Sequence, residues 1–267
     1  LFELSGFRWW LLRHGCEPGV FGGFSLTEDT EAVRLAMAKI SKSIFSVSRG
    51  ARMRKEQIPN FPKTHVATRL ITDETGKAPQ LALDLAEAYE NSKSLEALTA
   101  IRMALELLRV DALGGLAEDY ALTSKVIIFV NYTATAEALR KRLFAAFGGV
   151  PTIDGSNDTW YREAIKVSFQ RNEIPVLICN NQAGGEGISL HDPKGQVERT
   201  SLISPCYSGR QMKQVLGRPQ RDGGAFSQQF FIYFADTPEE RIAAEVERKL
   251  GNLDALNDAE LNGVFPC

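Results

Sequence analysis

The sequence predicts an α/β protein: a parallel sheet covered by helices on both faces, with a mostly helical N-terminal extension. Short apolar runs at 126–130, 176–179, 201–204 and 230–234 are too brief for helices and read as buried strands. The stretches between them, 135–147 and 159–170 above all, carry the three- and four-residue apolar spacing of helices. Hydrophobic residues make up 44% of the 267, enough for a full core in one large domain or in a domain with an appendage.

Taken in order, residues 1–62 form the extension. They hold Trp9-Trp10, a glycine-rich turn at 19–23, and one amphipathic helix over 28–45. In that helix Val33, Ala36, Met37, Ile40 and Ile44 share a face, with Thr27 as cap and Glu28, Asp29 and Glu31 in the first turn. A basic segment, 49–55, and the proline-bearing 58–63 follow. The main domain, 63–267, opens with a strand at 64–72 and a polar turn at 73–77. Residues 81–122 are mostly helical, with Leu95, Leu98, Ile101, Leu105 and Leu108 on the core side. Strand and helix then alternate: 126–130, 135–147, 150–153, 159–170, 176–179, 201–204, a helix ending near 216, and 230–234. A last helix starts with Thr237 as cap, Pro238 at the first position and Glu240 completing a capping box, and stops at Gly251.

Composition excludes several classes. A formal net charge of -2 rules out a uniformly basic nucleic-acid coat, though not a local groove. Cys16, Cys179, Cys206 and Cys267 have neither C-x-x-C nor Cys/His ligand spacing, so they read as free thiols in a reducing compartment, cytoplasmic or nucleoid-associated, with no metal site. No apolar run approaches the roughly 20 residues of a membrane span. Leu1-Phe2-Glu3 reads as a cut inside a longer protein. Gly76-Lys77 is followed by Ala78 and fails the phosphate-loop pattern, and Asp73-Glu74 lies in a turn signal. His191-Asp192 reads as a surface turn, because adjacent residues leaving a strand point apart.

Two stretches carry chemistry. In 209–224, Gln214 and Arg218 fall one helical turn apart and Arg221 follows past Gly217 and Pro219, so two guanidiniums converge on one point. Such a pair among glycines suits a polyphosphate. In 180–190, Gly184, Gly185 and Gly187 admit close approach of a phosphate or ribose, and Asn180 and Asn181 can donate to a nucleic-acid phosphate.

The spacing Q-x-x-G-R-x-x-R over Gln214–Arg221 resembles motif VI of superfamily-two helicases, in their Swi/Snf-related branch. Three further segments occur in that family's order. Residues 125–132 resemble motif IV, Ile153-Asp154-Gly155-Ser156 with Arg162 and Phe169 resembles the segment after it, and 180–190 resembles motif V. The resemblance covers about residues 90–256 and implies the second RecA-like domain of an ATP-driven DNA translocase. It implies ATP with Mg²⁺, the metal held mainly by a first RecA-like domain of the same parent, and DNA as track, with RNA left open. Arg218 and Arg221 take catalytic roles, Arg221 as the finger, with Gln214 coupling to the nucleotide alongside Gly185, Gly187 and Ser189. Asn131, Tyr132, Asp154, Gly155, Asn180 and Asn181 face nucleic acid. Ser189 stands where the Swi/Snf branch commonly has Asn. The chain alone, without phosphate loop or Walker B strand, is expected to be inactive. The alternative is a non-hydrolysing module that holds nucleic acid or a protein; a Rossmann-type transferase or dehydrogenase is disfavoured by the lack of an early G-x-G-x-x-G.

Overall fold

A computed structural model of the chain describes residues 4–13, 16–18, 24–26, 35, 38–39, 55–91, 94–181, 188–206, 208–237, 239–240, 243–244, 246–248 and 250. Most of the 28–45 helix, most of the basic segment 49–55, Gly184, Gly185, Gly187 and the Gly251 stop lie outside them. The chain divides into two compact units, one of Leu1–Ile58 with Glu247–Cys267 and one of Pro59–Val246. In the first, helix α1 (Leu4–Arg13) precedes an antiparallel pair, β1 (Cys16–Pro18) and β2 (Phe24–Leu26).

The second unit runs β3 (Thr64–Ile71), α2 (Lys77–Glu90), α3 (Leu95–Leu108), α4 (Val110–Ala121), β4 (Lys125–Val130), α5 (Thr133–Phe147), β5 (Thr152–Ile153), α6 (Thr159–Gln170), β6 (Val176–Asn180), β7 (Arg199–Ile203), α7 (Gly209–Leu216) and β8 (Ser227–Phe234). Among the described residues six strands form one sheet in the order β3-β8-β7-β4-β6-β5, each paired in parallel with its neighbours. The α/β class is therefore as expected.

Period two along each strand separates the faces. Val126, Ile128 and Val130 of β4 pack with Ile178, Leu202 and Ile232 against Leu113 and Leu116 of α4 and Leu139 and Leu143 of α5. The alternate residues Ile127, Phe129, Leu177 and Cys179 are equally buried and face the other side. Right-handed crossovers put α6 and α7 there. The chain leaves β4 first toward β6 and β5 and later fills β7 and β8 on its other flank, so the order reverses between β4 and β7.

Local chemistry sets the helix ends. Ser94 caps α3 by accepting from the Ala97 N–H, and Asp158 caps α6 from Tyr161. Gly148, at φ 67°, ends α5 in the left-handed conformation that glycine adopts most readily. The polar turn at 73–77 is built on the Asp73 carboxylate, which accepts from the backbone N–H groups of Thr75 and Ala78.

Several boundaries differ from the sequence reading. The helical stretch 81–122 is three helices. β8 starts at Ser227 rather than 230, because Ser227 and Gln229 are buried polar residues bonded to the Thr64 hydroxyl at 2.8 and 2.9 Å, which hides them from an apolar pattern. Thr237 does accept from the Glu239 N–H, but Glu240 accepts from Asp236, one residue before the cap, so the box closes one position early.

Among the described residues no helix is long and apolar enough to cross a membrane, and no group of His, Cys, Asp and Glu could hold a metal ion. Cys16, Cys179 and Cys206 are free thiols.

Candidate functional site

The order reversal between β4 and β7 leaves a crevice at the carboxyl ends of those strands, where open parallel sheets gather ligands. Asn131 and Tyr132 leave β4 there, and Pro205 and Cys206 follow β7. They line a cleft of about 190 Å³ whose other walls include Arg102, Glu106 and Arg109. A polar network ties the strand ends together. The Asn131 side-chain amide donates to the Pro205 carbonyl at 3.0 Å, and its oxygen accepts from Asn181 at 2.7 Å. The Asn181 amide also donates to Ser204 O, and the Asn180 amide donates to Asn131 O at 2.9 Å.

Asn181 is 1% exposed and its amide donates twice inside the network. Asn131 likewise spends its amide internally. Tyr132 and Asn180 are half-buried at the same edge. Burial, offset in part by Arg102, raises the Tyr132 phenol above its ordinary value, so it stays a neutral donor.

Next to it, the exit of β5 is a locked turn. The Asp154 N–H donates to Asn157 Oδ1 at 2.7 Å, Asp154 Oδ1 accepts from the Ser156 N–H at 2.8 Å, and Arg162 donates to the Asp154 carbonyl at 2.7 Å. Gly155 is exposed at its tip. Trp160, in the first turn of α6, is 78% exposed beside this turn, and the sequence reading passed it over. Its exposure belongs to the fold, and the letter alone does not carry it.

The guanidiniums lie elsewhere. Helix α7 leaves the carboxyl end of β7 and must return to the amino end of parallel β8, and Gln220 donates to Pro62 O just ahead of β3. The turn that carries Arg218 and Arg221 therefore sits at the opposite end of the sheet from Asn131. Gln214, half-buried in the last turn of α7, precedes it. Each guanidinium is bonded to its own set of backbone carbonyls. Arg218 is 8% exposed and donates to Ile188 O at 3.0 Å, while its own carbonyl accepts from the Leu190 N–H at 2.9 Å. Arg221 folds back onto the carbonyls of Gly217 and Gln220, and is only partly buried. Gly224 is required just after it, since a Cβ there would sit 2.9 Å from Arg221 O. Ser189 lies between the two Arg218 contacts, its carbonyl accepting from Gln170 at 2.9 Å.

Two further residues escaped the sequence reading. Asp192 does lie in a turn, but fully buried rather than at the surface. Its carboxylate accepts from the N–H groups of Lys194, Gln196 and Val197 at 2.8–2.9 Å. Burial alone would raise its pKa; these bonds outweigh it and hold the group below the ordinary value. Arg199, also buried, donates to Leu190, Val197 and Phe169 carbonyls and stacks over the Phe169 ring at 4.9 Å, burial pulling its pKa down to about 10. Burial, then Arg221 and Arg199, lowers the pKa of His191, which keeps it neutral.

No family model matches the chain. It is 29% identical over 226 residues to a protein of Acanthamoeba polyphaga mimivirus named as an ATP-dependent RNA helicase, a match over 80% of this chain and 41% of that one. It is 26% identical over 188 residues to YwqA of Bacillus subtilis, named as an ATP-dependent helicase/translocase, over 68% and 17% respectively. The solved C-terminal part of the Fun30 ATPase domain superposes with a TM-score of 0.47 at 14% identity, covering 75% of this chain and 98% of that one. The chain spans less than half the length of the curated relatives it matches. In sequence it is similar to part of helicase-type motor proteins.

Proposed function

We propose that residues 63–267 are the second RecA-like domain of an ATP-driven translocase of the Swi/Snf-related branch, acting on DNA, with residues 1–62 as the tail of the first motor region. ATP is gripped, with its Mg²⁺, mainly by the first domain of the parent. Its hydrolysis supplies the driving reaction, and this chain answers from two ends of its sheet. At the amino end Arg221 is the finger toward the transferred phosphate, with Arg218, Gln214 and Ser189 shaping its approach; Gly185 and Gly187, which lie outside the described residues, meet the nucleotide in this reading. At the carboxyl end Tyr132, Asp154, Gly155 and Asn180 meet the nucleic-acid backbone, with Asn131 and Asn181 holding the edge in place. Trp160 adds a π face on which a base can stack.

One observation supports this reading above the others. The segment that starts at Asn181 in the carboxyl-end network finishes at Leu190, whose N–H donates to Arg218 O. Ten residues of sequence thus separate a member of the carboxyl-end network from the backbone partner of Arg218.

Arg221→Ala in the parent protein is the test. An inserted arginine matters when charge spreads over the transferred group, so hydrolysis should fall by roughly 10³-fold or more while nucleotide affinity changes little. Arg221→Lys should fail nearly as badly, because a point charge lacks the fork. Hydrolysis at the unsubstituted rate would favour a non-hydrolysing module on the same fold, and stimulation by RNA in place of DNA would change the track.

A further inference from the structure

We infer that Glu106 is the positioning residue of the carboxyl-end edge: the resident anion of the crevice between β4 and β7, which sets the loop carrying Asn131 and Tyr132 for nucleic-acid contact. The inference rests on the proposed function and names a residue that no sequence motif includes.

Glu106 stands on α3, 25 residues before Asn131, and is 1% exposed. Its carboxylate accepts from the Asn131 N–H at 3.0 and 3.1 Å, from the Asn131 side-chain amide at 2.6 Å and from the Tyr132 N–H at 3.1 Å. Tyr132 is the N-cap of α5 and makes no capping bond with its own side chain, so a carboxylate from another helix serves the start of α5. That is where the free N–H groups and the helix dipole favour an anion. Asn131 then passes the constraint on, to Pro205 after β7 and to Asn181 after β6. One buried acid thus fixes the exits of three strands.

The charged and titratable groups facing it are Arg102 in the middle of α3, Arg109 at its end, Glu239 after β8, Tyr132 at the start of α5 and Cys206 after β7. Burial raises the Glu106 pKa despite the Asn131 and Arg109 interactions that oppose it. Protonation leaves a hydroxyl where an acceptor is needed, among donors that cannot turn away. The loop should therefore loosen as pH falls through the raised pKa of this carboxylate.

The experiment is a titration of fluorescent single-stranded and duplex DNA and RNA with the full chain at low salt, repeated across the pH range in which the chain stays folded. Glu106→Gln keeps the shape but turns an NH₂ toward the Asn131 and Tyr132 donors. It should weaken binding about tenfold, the equivalent of one lost charge-assisted hydrogen bond, and abolish the acid limb of the pH profile. Glu106→Asp should restore that limb. For Glu106→Ala, formate should raise both melting temperature and affinity where chloride at equal ionic strength does not. If the alanine variant fails to fold, the pH profiles of the Gln and Asp variants decide. Unchanged affinity and pH profile in Glu106→Gln overturn the inference alone. No binding of either nucleic acid by the unsubstituted chain overturns the proposed function and the inference together.

Discussion

Asp192 shows how one side chain can organise a loop without touching a ligand. Its three backbone bonds hold the turn that feeds β7, and beside it Arg199 collects the carbonyls of Leu190, Val197 and Phe169. The folded-state pKa of Asp192 is depressed, so the unfolded chain takes up a proton more readily. The stabilisation is present above the unfolded value of about 3.9 and is lost as pH falls through the lower folded value. Asp192→Asn should therefore cost about 2–3 kcal/mol at neutral pH, on the scale of charge-assisted bonds to a buried group. The gap between variant and unsubstituted chain should close as acid titrates the latter. Urea melts at neutral and acid pH measure both, and a gap that stays constant into acid would refute the assignment. None of this was legible from His191-Asp192 as a dipeptide. A surface Asp and a buried Asp are the same letter, and only the carboxylate's neighbours distinguish them.

At the scale of elements, the packing of α3 depends on more than its leucines. Arg109, at its end, is 3% exposed and pairs with the buried Glu239, and its guanidinium lies 5.0 Å over the Phe234 ring. Glu239 also accepts from the Phe234 N–H at 3.0 Å, so the pair ties α3 to the exit of β8. Glu239→Ala would strand a buried guanidinium and should cost about 3–5 kcal/mol, whereas replacing Arg109 by Met and Glu239 by Leu together should be close to neutral. Denaturant melts of the two single variants and the double variant separate these cases. A double variant as unstable as the worse single one would mean that the charges, not the packing, hold the two elements. The periodicity of Leu95 to Leu108 was enough to place this helix. It could not show that Glu106 and Arg109 face the sheet, since charged residues are ordinarily assigned to the solvated side.

At the scale of the molecule, the two ends of the sheet have different work under the proposed function, and neither is complete alone. The chain by itself should show no nucleic-acid-stimulated ATP hydrolysis, because the groups expected to hold Mg²⁺ and the β/γ-phosphates belong to the other domain of the parent. Robust turnover by the purified chain, free of contaminating ATPase, would sink that reading. Nucleic-acid binding should be weak and largely indifferent to sequence, as expected for a chain of net charge -2 with contacts along one edge. If about two or three phosphates are neutralised, log K should fall with log salt at a slope of about -2 to -3. A slope near zero with tight binding would indicate base-specific recognition.

The strands and helices of the Pro59–Val246 unit were determined by the sequence itself, because period 2, period 3.6 and uninterrupted apolar runs are local properties that no partner need complete. The order of the motif-like segments was equally plain, as was the carboxyl-end placement of Asn131 and Asp154, which follows from where strands stop. The tertiary structure decided which polar atoms are used up. Asn131 meets Glu106 across 25 residues, Asn181 across 50 and Pro205 across 74. A buried hydrogen-bonding group takes whichever partner the fold brings near, and the cost of leaving it unmet makes that choice binding. For the same reason the spacing of Arg218 and Arg221 left their directions open. One found the Ile188 carbonyl and the other its own helix end, and no count of residues between them could have said so.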